Sequence, residues 1–148
     1  MYQRILVPLD GSILSEAVLP HAENLANALN AEIILLHVDV SPAPIFDPHE
    51  SPLEPEPHEV KIMHADEKFY LKNVCTKLEQ KGSHVTYLLR DGMVADTILE
   101  VAASMQANLI AMTTHGRTGM ARLLLGSVAE QVVHRSKIPI VLIRPTAE

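Results

Sequence analysis

Leu109-Ile110-Ala111-Met112-Thr113-Thr114-His115-Gly116-Arg117-Thr118-Gly119, followed by Gly126-Ser127-Val128-Ala129-Glu130, is the stretch on which the reading of this chain turns. Leu109 to Met112 is apolar and of strand length. A glycine-containing loop with Arg117 and Arg122 comes next. Ser127, with Glu130 three places on, has the capping-box spacing that starts a helix. Strand, glycine loop and helix N-terminus in that order is how a chain holds phosphate. Glycines let backbone N–H groups approach the anion, and the free N–H groups and dipole of the helix favour negative charge. A plainer reading has Ser127 only capping a helix and the glycines only making turns. Spacing by itself does not separate the two.

Working outward, the same strand-then-helix unit repeats. Ile5-Leu6-Val7-Pro8-Leu9, bounded by Asp10-Gly11-Ser12, reads as a buried strand, with Pro8 near its end because proline cannot donate to a ladder. Ser12 or Ser15 caps a helix whose apolar spacing is Ala17, His21, Leu25 and Leu29; Pro20 predicts a kink or a late start. Ile33 to Val38 is a second buried strand. Residues 41–59 carry six prolines among acidic residues with no periodicity, a loop too long for a simple connection. It reads either as a solvated acidic excursion or as a lid or partner-contacting flap. Val60 to Lys81 has helical spacing through Met63, Glu67, Phe69-Tyr70, Val74 and Leu78, and ends at Gly82. Cys75 inside it packs as a small hydrophobe. His84 to Leu89 is a third strand. Asp91-Gly92 turns into a helix with Val94, Ile98, Val101, Ala102 and Met105 on one face. The last helix turns Val128, Val132 and Val133 inward. Ile138 to Ile143 is a fifth strand, apolar on both faces.

Strict alternation of strand and helix predicts an α/β fold: a Rossmann-like, doubly wound, five-stranded parallel sheet with helices on both faces and right-handed crossovers. The 148 residues show no composition break, so a single domain over 1–148 is expected. Ligands in such folds bind at the carboxyl ends of strands where strand order reverses. Asp10-Gly11-Ser12 and Thr113 to Gly119 both lie at carboxyl ends. Neighbouring first and fourth strands would bring them together over one crevice, which favours the phosphate reading.

These residues carry a resemblance that covers the whole chain. Val7-Pro8-Leu9-Asp10-Gly11-Ser12, Leu36-His37-Val38, Thr114 through Gly119, Leu124 through Glu130 and the closing Pro139-Ile140-Val141-Leu142-Ile143 resemble the universal stress protein family. Its nucleotide-binding branch has a glycine, two residues, a second glycine, nine residues, then glycine and serine or threonine. Gly116, nine intervening residues and Gly126-Ser127 match, whereas Thr113 stands where the first glycine would be. A β-branched side chain there either crowds the ribose or turns its hydroxyl outward and leaves the backbone contact intact. The resemblance implies adenine between the first two strand ends, near Pro8, against the backbone of Val38 and above Met112. Asp10 would sit by the adenosine end and Thr113's backbone by the ribose. Gly116, Gly126, Ser127 and Val128 would hold the phosphates, and Arg117 is the best-placed cation. Mg²⁺ or Mn²⁺ would arrive with the phosphates of ATP or another adenine nucleotide rather than in a protein cage.

Composition narrows the alternatives. A net charge of −6 argues against general binding to nucleic acid or anionic membranes, and aromatics at 3% leave no stacking platform for single strands. Cys75 is the lone cysteine, so no intramolecular disulfide forms. No run approaches membrane-spanning length and the N-terminal run is too short for a signal peptide, so a cytoplasmic protein is expected. The chain lacks the P-loop, Gly-x-Ser-x-Gly and His-Glu-x-x-His motifs. His58 and His64 are six residues apart and do not share a helix face, which argues against a metal site. His37 reads as a packed strand histidine, and His115 is the one to watch near a ligand. No carboxylate beside the loop stands out as a base for fast hydrolysis. Three readings follow: a regulatory ATP-binding protein, a slow ATPase using Asp10, or a nucleotide-free interaction module closed by Thr113. The apolar last strand would be hazardous unpaired, and together with the resemblance it predicts a homodimer through that strand. An unidentified protein partner would read out the state.

Overall fold

Each apolar run becomes one strand of a single sheet. The computed structural model describes residues 1–40, 57–116 and 125–145, with backbone alone for 57–65. Most of the Pro-rich stretch, and Arg117 and Arg122, lie outside the described residues. The strands are β1 (Arg4–Pro8), β2 (Glu32–Asp39), β3 (Val85–Asp91), β4 (Leu109–Thr113) and β5 (Ile140–Ile143). They pair in parallel in the order β3-β2-β1-β4-β5. The doubly wound α/β expectation therefore holds.

Parallel strands covered on both faces need side chains that are apolar in both directions. Ile5 and Val7 of β1 join Ile33 and Leu35 of β2 on one face, under α2 (Leu19–Leu29) and α3 (Pro57–Gln80). Leu6 joins Ile34, Leu36, Ile110 and Met112 on the other, under α4 (Val94–Ser104) and α5 (Ser127–Arg135). Ile5, Leu6, Ile33, Ile34, Leu35 and Leu36 are all fully buried. Each such side chain contributes about 1.5–3 kcal/mol relative to exposure. Pro8 ends β1 as expected, and the Leu9 N–H takes over the ladder by donating to the Leu36 carbonyl at 2.8 Å.

Several local expectations are corrected. The late start expected at Pro20 is found, but as two pieces: a one-turn α1 (Ile13–Glu16) capped by Ser12, then α2, in whose first turn Pro20 sits where no helical donor is needed. The buried face of α2 is Ala22 and Ala26, while His21 and Leu29 are exposed. On α3, Leu71, Val74, Cys75 and Leu78 face the sheet and Phe69 is exposed. Cys75 does pack as a small hydrophobe, and burial with the nearby Glu79 carboxylate pushes its thiol up to about 11. β5 starts at Ile140 rather than Ile138, because Ser136 Oγ occupies both the N–H and the carbonyl of Ile138. The last helix buries Ala129 and Val132, and Val133 faces out.

β1 is the pivot of the strand order. After β1 the chain builds outward through β2 to β3 on one side; β4 and β5 fill the other. The segments leaving β1 and β4 go to helices on opposite faces, so their carboxyl ends open a crevice.

Candidate functional site

A cleft of about 570 Å³ occupies that crevice. Its walls come from the ends of β1, β2 and β4, the start of α5 and the middle of α3. Pro8, Val38, Val94, Ile98 and Met112 give it an apolar side; Asp10, Gly116, Gly126 and Ser127 line a polar one. A second hollow of about 640 Å³ lies at the amino ends of the strands, lined by Gln3, Asn30, Glu32, Glu79 and Ser83 among others. Its described lining offers no glycine and two carboxylates, the wrong chemistry for an anion.

The described ends of the loop after β4 are held by backbone hydrogen bonds. Thr114 N–H donates to the Ile143 carbonyl at 2.9 Å, continuing the sheet, and Gly126 N–H donates to the Thr114 carbonyl at 2.7 Å. The Thr113 hydroxyl donates to the His115 carbonyl at 2.9 Å. Gly126 is the N-cap of α5 in extended conformation, with no side-chain capping bond. The expected capping box at Ser127 is thus not formed. Gly126's tight bond to Thr114 makes it the turning residue, so Ser127 becomes the first helical residue with its side chain exposed. Glu130 instead lies 3.9 Å from His134 one turn on.

This arrangement divides the loop's donors. Gly126's amide is already bonded to the Thr114 carbonyl, and the residue caps the helix. A side chain there would meet the Thr114 carbonyl at 3.0 Å. Ser127, Val128 and Ala129 are the first helical amides; α5's first intrahelical bond is Glu130 N–H to the Gly126 carbonyl at 2.9 Å. Among the described residues those earlier amides have no intrahelical acceptor, as the first N–H groups of a helix do not.

Across the crevice, Asp10 is held by its own loop. Its Oδ1 accepts from Ser12 N–H at 2.8 Å and from Ser12 Oγ at 2.5 Å. Gly11 between them has φ +86°, a left-handed conformation that glycine adopts without steric cost. The carboxylate's other oxygen, Oδ2, lies where a side chain on Gly116 would be. A carboxylate does therefore stand beside the glycine loop, a correction that linear sequence hides because 106 positions separate the two residues.

Sequence reasoning also missed the wall contributed by α3. Asp66, Glu67 and Tyr70 line the cleft. Tyr70 OH donates to Glu16 Oε1 at 2.8 Å, and burial with this carboxylate holds the phenol protonated well above its ordinary range. His37 is buried as expected, yet it also borders the cleft. Its Nδ1 donates to the Leu9 carbonyl at 2.9 Å, and Nε2 lies 3.5 Å from Glu67 Oε1. A polar residue in an otherwise aliphatic buried strand was the available signal. His115 is not among the cleft's lining residues; its Nδ1 is 3.0 Å from Thr114 Oγ1. Of the sequence-predicted residues, Pro8, Asp10, Val38, Met112, Thr113, Gly116, Gly126, Ser127 and Val128 all border this one cleft. Arg117 lies outside the described residues.

Residues 1–144 match the model of the universal stress protein family. The universal stress protein MJ0531 of Methanocaldococcus jannaschii is 34% identical over 145 residues, covering 97% of this chain and 83% of that one. The chain belongs to the universal stress protein family. The solved structure of MJ0577 from the same organism superposes with a TM-score of 0.83 at 29% identity, over 100% of this chain and 99% of that one. A universal stress protein solved with cAMP gives a TM-score of 0.70 at 24% identity, covering 98% of both chains. One from Archaeoglobus fulgidus solved with dAMP gives 0.67 at 19%, over 96% of this chain and 98% of that one. Among the described residues, no helix is long and apolar enough to cross a membrane.

Proposed function

We propose that this universal stress protein binds an adenine nucleotide, ATP foremost, in the switch-point cleft, and that occupancy changes its shape or its protein partner in a stress response. The observation that carries this reading is the meeting of the first amides of α5 with Gly116, at the end of a glycine loop whose described ends are tied by backbone hydrogen bonds. The base takes the apolar side, between the ends of β1 and β2, near Pro8, against the backbone of Val38 and over Met112. Asp10 and Thr113 stand by the sugar. The phosphates meet Gly116 and the amides of Ser127 and Val128, where the N–H groups of a helix start and the helix dipole favour negative charge. Gly126 shapes the approach, and Arg117 is the cation assigned to the phosphates. The related folds solved with cAMP and dAMP carry ligands that share adenine and phosphate. At 24% and 19% identity they speak for the fold, so the reading rests on this chain's own loop. Mg²⁺ or Mn²⁺ is assigned to the nucleotide's phosphates, whose charge would carry it in, rather than to a protein cage.

Titration calorimetry of nucleotide-stripped protein with ATP and Mg²⁺ tests the reading. Saturable binding is expected, and the Gly126→Ala Ser127→Ala variant should lose it. Absence of binding to ATP, ADP and AMP would overturn it in favour of a nucleotide-free interaction module.

One observation favours a second reading, slow ATP hydrolysis by Asp10 with a carried metal: the Asp10 carboxylate packs against Gly116, a residue assigned to the phosphates. Asp10→Ala should then abolish phosphate release while sparing part of the binding. Unchanged release would remove Asp10 from the chemistry.

The assembly is a further part of the proposal. β5 pairs only with β4 among the described strands, and Ile140 to Ile143 are each half-buried. A second copy of this chain pairing along that edge would satisfy its backbone groups about a two-fold axis. Light scattering at micromolar concentration should give twice the chain mass of 16.3 kDa, and a monomer would overturn it.

A further inference from the structure

Thr113 is where this chain departs from the glycine pattern of its family's nucleotide-binding branch, and the structure gives the departure a use. The residue is 6% exposed and borders the cleft. Its hydroxyl donates to the His115 carbonyl two residues on, at 2.9 Å. The residues around it are tied as well: Thr114 through both its N–H and its carbonyl, and His115 through its ring. Without the Thr113 hydroxyl, the His115 carbonyl would lose this tie, and the peptide joining His115 to Gly116 would lose its one side-chain anchor among the described residues. That peptide carries the Gly116 N–H, one of the donors assigned to phosphate.

We infer that Thr113 is a positioning residue that orders the Gly116 amide before the nucleotide arrives. The inference rests on the nucleotide-binding reading of the same cleft. A loop that is mobile when empty loses conformational entropy when a ligand settles on it, and that loss comes out of the affinity. The Thr113 tether removes part of the loss beforehand. A glycine at 113 offers the same backbone path without a tether, and a valine the same shape without a donor. Threonine here is therefore a substitute for glycine's slimness, not a plug in the site.

Three variants test this by calorimetry with ATP and Mg²⁺, beside amide hydrogen exchange at His115 and Gly116 in the nucleotide-free protein. Thr113→Val should bind about five- to tenfold more weakly, the equivalent of one hydrogen bond. Thr113→Ser, which keeps the hydroxyl, should stay within about threefold of the parent on the same scale. Thr113→Gly should bind more weakly, with faster exchange at both amides. Tighter or equal binding by Thr113→Gly, or parental affinity in Thr113→Val, would overturn the inference. Failure of the unmodified protein to bind any adenine nucleotide would instead overturn the nucleotide reading. The exchange rates would still decide the tether: faster exchange in Thr113→Val supports it, unchanged exchange overturns it.

Discussion

Gly116→Val should reduce nucleotide affinity by on the order of 100-fold, about 2.7 kcal/mol, while costing less than that in folding stability. A Cβ on residue 116 would coincide with Asp10 Oδ2 and come within 3.3 Å of Asp10 Cγ. The Asp10 carboxylate cannot simply swing aside, because Ser12 holds it with two hydrogen bonds from the opposite loop. The added side chain must break those bonds or push the loops apart. Either response displaces both the carboxylate assigned to the sugar and the amide assigned to phosphate. Stability is spared because Gly116, Asp10 and Ser12 are only half-buried and outside both hydrophobic clusters. Calorimetry and a denaturant titration on the same variant separate the two effects. Parental affinity would place the nucleotide away from Gly116. A loss of stability as large as the loss of affinity would mean that the loops are part of the folding core.

The contrast between loops and core also explains how far the sequence could be read. The sheet was legible because parallel strands covered on both faces leave uninterrupted apolar runs such as Ile33 to Leu36, which no loop would carry. The cleft was legible because strand-order reversal converts two glycine loops, distant in sequence, into neighbours. The contacts between them were not. Gly126 rather than Ser127 caps α5 through a hydrogen bond of 2.7 Å to Thr114, and Asp10 meets Gly116 across two loops 106 positions apart; no linear pattern encodes either. The share of the cleft built by Asp66, Glu67 and Tyr70 was hidden for a different reason. Helical periodicity separates a buried face from an exposed one, but residues at the border between them face a cleft, and their polarity reads as solvent exposure.

The last helix shows the same limit at a single pair of residues, and it supplies the sharpest test of the fold. Val132 and Val133 are adjacent valines that helical spacing placed together on the inner face. In the structure Val132 is fully buried and Val133 is 39% exposed. Val132→Asp should destabilise the protein by more than about 4 kcal/mol, since it places an unpaired charge among apolar side chains. Val133→Asp should cost under about 1 kcal/mol, mainly from a negative charge near the carboxyl end of a helix. Val132→Ala, which removes only buried volume, should fall between them at about 1.5–3 kcal/mol. The effect should reach the site as well as the core. α5 is held to the sheet by two buried residues, Ala129 and Val132, where α4 buries five. Loosening Val132 therefore frees the helix whose first amides are assigned to phosphate, and affinity should fall along with stability in Val132→Ala but not in Val133→Asp. Equal costs for the two aspartate variants would contradict the packing of α5. A Val132→Ala protein that loses stability yet binds nucleotide as the parent does would show that the anion is held by the glycine loop without the helix.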